Sequence, residues 1–161
     1  MDDLVNLVEV KKGRWNHSMN VTEFQQWVKD YYKMRDWSDL DIFIRIGFLA
    51  EETGEIIGFL IGFLSQSRMN KAYIHFVGVH PEYRGKKIGK QLYSHFFDVT
   101  KQNGRNTIRC VTSPVNKTSI AYHTNMGFKI EQGDKELNNI SVHTNYDGVN
   151  QDCVLFVKHL V

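Results

Sequence analysis

The sequence predicts a mixed α/β domain with helices packed on one open sheet. Apolar strands come first, two amphipathic helical stretches follow, and each of these lies between strands. At 161 residues, with no internal repeat and no linker-like segment, the chain is expected to form a single domain over 1–161.

Leu4 to Val10 alternates weakly and suits an edge strand. Asn20-Val21-Thr22-Glu23 has the form of a capping box, and Val21, Phe24, Trp27, Val28, Tyr31 and Tyr32 then recur at helical spacing. Asp36 to Asp41 is a polar break. Ile42 to Ala50 and Glu55 to Ser65 read as two strands joined through "EETGE" into a hairpin. Ala72 to Val79 is apolar on both faces, which suits a central strand. Ile88, Leu92, Phe96 and Val99 mark one face of a helix ending near Asn103-Gly104. Thr107 to Val111 is a short strand, and a helix from Lys117 to Met126 follows, stopped by Gly127. Lys129 to Gln132, Ser141 to His143 and Asp152 to His159 complete the expected strands.

Composition excludes several classes. A formal net charge of +2 does not suit nucleic acid as the main partner, and the cations lack interleaved aromatics for base stacking. The acidic N-terminus lacks the pattern of a signal peptide, and Ile56 to Leu64 is too short to span a bilayer. The two cysteines, Cys110 and Cys153, are not in CxxC spacing and are read as reduced core thiols. A cytoplasmic protein without membrane partners is expected. No His, Cys or carboxylate cluster has ligand spacing, so no metal is expected.

The chemistry concentrates in "VGVHPEYRGKKIGKQL", Val77 to Leu92, where Arg84, Lys86, Lys87 and Lys90 meet Gly85 and Gly89 at a strand–helix junction. A helix N-terminus exposes unpaired N–H groups and the positive end of the macrodipole, and glycine admits a close ligand. The P-loop and dinucleotide spacings are both absent. On the residues alone, a phosphate cradle and a solvated basic turn stand as equal readings.

"VHPEYRGKKIGKQL" resembles motif A of the GCN5-related N-acetyltransferases: Arg or Gln, two residues, Gly, one residue, then Gly or Ala. Arg84 and Gly89 match its ends, while Lys87 stands where the first glycine usually lies. "NKTSIAYHTNMGF", Asn116 to Phe128, is similar to the family's later motif, in which an Asn opens a helix ending in Gly-Phe. The resemblance implies one central, mostly antiparallel twisted sheet flanked by helices. It also implies a cradle for the pyrophosphate of acetyl-coenzyme A, formed by Arg84, Gly85, Lys86, Lys87, Ile88, Gly89 and Lys90. Val77, Gly78 and Val79 would hold the pantetheine through their backbone on a strand that splays from its neighbour, with Asn116 and Ser119 on the facing helix. No metal is implied, and a homodimer is compatible.

The implied reaction is direct acetyl transfer to a primary amine of a small molecule or peptide. His75 lies where relatives often carry a glutamate base. Alternation puts it on the face of Val77 and Val79 unless a bulge intervenes, and Gly78 is a position where a bulge is expected to be tolerated. An unperturbed imidazole, with a pKa near ~6.5, suits a base at neutral pH. The family's usual acid, a tyrosine, is replaced at its position by His123, with Tyr122 just before it. Asn116, Ile120 and His123 share one helical face, which favours His123 over Tyr122 near the sulfur. His123, Tyr122 and water all remain open as the proton donor. Absence of both usual catalytic residue types leaves an acyl-coenzyme A sensor of the same fold as the alternative. Arg14 to Leu40, Glu51 to Glu55 and Asn138 to Asn150 are the segments expected to shape the acceptor site.

Overall fold

The computed structural model describes residues 4–7, 44–65 and 67–161. The expected capping box, the helix from Val21 and the polar break lie outside these residues. In chain order the elements are β1 (Leu4–Leu7), β2 (Ile44–Glu52), β3 (Glu55–Leu64), β4 (Lys71–Val79), a 3-10 turn (Pro81–Tyr83) and α1 (Ile88–Gln102). Then come β5 (Thr107–Thr112), α2 (Lys117–Asn125), β6 (Lys129–Ile130), β7 (Lys135–Leu137), β8 (Ile140–Val142) and β9 (Val154–His159).

Seven strands form one sheet in the order β1-β2-β3-β4-β5-β9-β6, so β4 is central. Every neighbouring pair is antiparallel except β4 and β5, which the α1 crossover makes parallel. β7 and β8 form a separate hairpin that the sequence did not announce as two strands. Its turn, Asn138-Asn139, holds both residues at positive φ (50° and 62°), the left-handed conformation that asparagine tolerates and tight hairpins need.

The core lies between α1 and α2 and one face of the sheet. Ile88, Leu92 and Phe96 are buried as their spacing requires, joined by Tyr93 and Thr100, while Val99 is only partly covered. α1 rests on β3 because β3 carries glycine where the helix passes. A Cβ on Gly62 would stand 2.5 Å from the Tyr73 carbonyl oxygen and 2.7 Å from Cζ of Phe96. Among the described residues, no helix is long and apolar enough to cross a membrane.

Gly62→Val should therefore destabilise the protein by about 1–3 kcal/mol through overpacking. The backbone oxygen that it strikes has no rotamer to escape into. A shift of the urea midpoint to lower denaturant checks this, and an unchanged midpoint would refute the seating of α1 on β3.

Candidate active site

β4 and β5 pair at only three positions, Lys71↔Thr107, Ala72↔Ile108 and Tyr73↔Arg109, and then separate. β4 stays bonded to β3 as far as Val79, and β5 stays bonded to β9 as far as Thr112. From Ile74 onward the β5-facing edge of β4 has no strand partner among the described residues. The gap holds a cavity of about 200 Å³, lined on one side by Ile74, His75, Phe76 and Val77. The end of β5 (Cys110 to Thr112) with the following Ser113, and residues Asn116, Ser119 and His123 at and within α2, line the other.

The β3–β4 register slips between Ile61 and Gly62, which pair with Phe76 and Ile74, so His75 is an extra residue in a β-bulge. This corrects both strand expectations: the bulge sits at His75 rather than Gly78, and His75 does not share the face of Val77 and Val79. Cross-strand pairs show the phase change. Ala72 and Ile74 before the bulge, and Val77 and Val79 after it, all stand opposite Leu64, Gly62, Leu60 and Gly58 on the α1 side. The exposed His75 ring instead lies 4.1 Å from that of Phe76 and 6.4 Å from that of Tyr73, on the opposite side of the sheet.

Beyond β4, His80 accepts a hydrogen bond at Nδ1 from the Glu82 N–H, and the chain turns through Gly85 into α1. Lys87 is the helix's first cap, in the left-handed conformation (φ 64°), and its side chain makes no capping bond. The first turn-closing bond of α1 is Gln91 N–H to Lys87 C=O, 3.1 Å. The N–H groups of Lys87, Ile88, Gly89 and Lys90 thus have no acceptor among the described residues. Arg84, Lys86, Lys87 and Lys90 surround them, all exposed. Lys86 Nζ sits 4.4 Å over the Tyr83 ring.

Gly89 is buried at this junction because α2 crosses it. A Cβ there would stand 3.0 Å from Cζ of Tyr122 and nearer still to its hydroxyl. Tyr122 is half-buried, and burial raises its phenol pKa. It closes over the start of α1, while Asn116, Ser119 and His123 look into the cavity. The side chain of Asn116 caps α2 by accepting from Ser119 N–H at 3.1 Å.

His123 is 4% exposed and wedged among aromatic rings, stacked on Phe156 at 5.0 Å and edge-on to Phe128 at 5.6 Å. Its Nδ1 lies 2.8 Å from the Ser119 carbonyl oxygen, which can only accept, so Nδ1 carries the hydrogen. Nε2 is then the acceptor for the Tyr93 hydroxyl at 2.9 Å. Burial lowers the imidazole pKa, opposed by that carbonyl bond. Both nitrogens of a neutral ring are engaged, which removes the free donor that a role for His123 as acid requires.

The cavity brings together His75, Val77, Asn116, Ser119 and His123; the start of α1 brings together Arg84 to Lys90. Gly78 is buried in β4, Val79 faces the α1 start, and Tyr122 stands between the two regions. Sequence reasoning missed Cys110 to Ser113 and Tyr93. The first group carried a signal: ligands in open sheets collect at the C-terminal ends of diverging parallel strands. Among the described residues, no three His, Cys, Asp or Glu side chains are grouped to hold a metal ion.

The diverging parallel strands and uncapped helix start define a class, and residues 11–128 match the acetyltransferase (GNAT) family; the chain belongs to that family of acyltransferases. It is similar to the spermidine N(1)-acetyltransferase of Thermoplasma acidophilum, at 29% identity over 147 residues, 83% of this chain and 87% of that protein. Its fold is similar to that of the ribosomal-protein-S18-alanine N-acetyltransferase from Escherichia coli. That match has a TM-score of 0.60 and 15% identity, covering 98% of this chain and 94% of the other. An aminoglycoside 6'-N-acetyltransferase complexed with coenzyme A is similar at a TM-score of 0.59 and 16% identity, over 98% and 97%.

A histidine whose folded pKa is lowered binds its proton less readily than in the unfolded chain. His123 therefore contributes stability that is fully present above its unfolded pKa of ~6.5 and is lost as pH falls below it. Melting temperatures should drop from pH 7.5 to 5.5, and His123→Gln should flatten that slope. An equal slope in the variant would show that His123 is not buried neutral.

Proposed function

We propose that the protein transfers the acetyl group of acetyl-coenzyme A directly to a primary amine of a small molecule or peptide. The observation that carries this reading is the uncapped start of α1, with four free amides and exposed cations, one short loop beyond the unpaired edge of β4. A helix N-terminus of this kind suits pyrophosphate, and an unpaired strand edge suits the amides of pantetheine. Arg84, Lys86, Lys87 and Lys90 supply charge, and the amides near Gly85, Ile88 and Gly89 supply hydrogen bonds. Val77, Gly78 and Val79 offer backbone along the gap, facing Asn116 and Ser119.

Chemistry then falls in the cavity, where His75 stands on the side of the sheet away from α1 and serves as general base toward the amine. Tyr122 or water returns the proton to sulfur. No metal is needed, the whole of 1–161 works as one domain, and acetyl-coenzyme A of the cytoplasm is the donor. The three similar proteins are named for spermidine, a ribosomal-protein alanine and aminoglycosides. The same fold thus serves unlike amines, and the acceptor is to be found by screening polyamines, amino sugars, amino acids and peptides for thiol release.

Coenzyme A should raise the melting temperature by mass action, and pantetheine alone should do less. Gly89→Glu should remove the shift, because it sets a carboxylate where amides and dipole await phosphate and pushes against Tyr122. No shift with the wild-type protein would end the acetyl-transfer reading; binding without turnover of any amine would favour a sensor.

His75→Ala should lower turnover by roughly 10²–10⁴-fold and abolish the acidic limb of the rate profile. Survival of that limb in the variant would place the base elsewhere.

A further inference from the structure

His123 occupies the position of the family's usual acid, yet its hydrogens and lone pairs are spent inside the protein. Its Nδ1–H points at the backbone carbonyl of Ser119, 2.8 Å away, and the Ser119 hydroxyl oxygen lies 3.2 Å from the same nitrogen. Since Nδ1 carries the hydrogen, the serine Oγ can only accept from it. The serine's own O–H hydrogen is then left without an acceptor among the described residues, on a side chain that lines the cavity. Thr112 and Ser113 line the opposite wall, and no hydrogen bond among the described residues fixes the direction of either hydroxyl.

We propose that the Ser119 hydroxyl is the hydrogen-bond donor to the coenzyme A sulfur as the thioester breaks, with His123 and Tyr93 acting as positioning residues. The inference rests on the acetyl-transfer reading. Phosphates held at the start of α1 leave the pantetheine to run back along β4 from Val79, so the reacting end arrives at the cavity. There the two walls divide the work. His75 faces the side of the sheet away from the helices, and Ser119 faces in from α2. The amine nitrogen forms its bond to the carbonyl carbon from the His75 side. The C–S bond breaks, and sulfur departs towards α2 with the electron pair as a thiolate. The proton shed by nitrogen passes to His75 and through solvent or Tyr122 to sulfur, so Ser119 keeps its own proton throughout. A neutral hydroxyl suffices because its task is to stabilise charge as it develops. His123 orients that hydroxyl by donating its Nδ1–H to Oγ, and the Tyr93 hydroxyl, donating to Nε2, holds the imidazole in place.

The test compares wild-type protein with Ser119→Ala and Ser119→Thr. Alanine is a strong helix former, so α2 is retained. Ionisation of the coenzyme A thiol is followed on the protein by ultraviolet thiolate absorbance as pH is raised. Bound to the wild type, the thiol should ionise at lower pH than on Ser119→Ala, and Ser119→Thr should restore the wild-type value. In turnover, Ser119→Ala should lower kcat about 10–100-fold, the worth of one hydrogen bond to a charged group, with KM for acetyl-coenzyme A nearly unchanged. Equal thiol ionisation and equal kcat in wild type and Ser119→Ala would overturn the proposal while leaving acetyl transfer standing. Failure of the wild type to bind coenzyme A at all would overturn both.

Discussion

Two strands that run parallel for three residue pairs and then part are the constraint on which the rest depends. β4 cannot follow β5, because β3 holds it along its whole length and adds a bulge at His75 that increases local twist. β5 cannot follow β4, because β9 holds it from Thr107 to Thr112. The sheet is thus two well-paired halves hinged at a short seam. An open interior edge is costly for a protein to keep, since backbone N–H and C=O groups need partners. Here the edge faces a cavity, where a ligand with amide groups of its own can complete the pairing.

The helices convert that gap into a site through one close crossing. Tyr122 of α2 packs over Gly89 of α1, which sets the distance between the cationic mouth and the cavity wall. Gly89 therefore serves in two ways. Its missing Cβ makes room for a phenol, and its amide belongs to the group left free at the helix start. Charge is distributed in step with this: cations stay exposed around the mouth, while inside, burial holds His123 neutral and raises the Cys110 thiol and the Tyr93 phenol.

Much of this was legible in the sequence, for reasons that also explain what was not. Ile88, Leu92 and Phe96 keep helical spacing and locate α1; the apolar run from Ala72 to Val79 locates the central strand. The bulge was hidden by that same run, because a strand apolar on both faces shows no change when its alternation slips by one residue. Ser141 to His143 was legible as a strand and overlaps β8, but its partner β7 was obscured by brevity and polarity, with only Asn138-Asn139 to mark the turn between them. The role of His123 was beyond sequence for a different reason. Spacing placed it on the face of Asn116 and Ile120, and the cavity brings it together with Asn116 and with Ser119 as well. Its nitrogens, however, are committed to Tyr93, thirty residues away on another helix, and to a backbone carbonyl; neither partner leaves a trace in the spacing.

The position of β9 has a consequence for how the molecule assembles. β9 lies between β5 and β6, although both precede it in the chain. Until β9 is in place, β5 presents a bare edge and the two residues of β6 have nothing to pair with. One half of the sheet, β2 to β4 with α1, joins segments close in sequence and is able to form early. The other half waits for a contact that spans more than forty residues, from Thr107 to His159, and such closures are slow. The gap between β4 and β5 is therefore the boundary between a part built from pairings close in sequence and a part closed by long-range ones. The cavity and the boundary between local and long-range pairing are the same line through the protein.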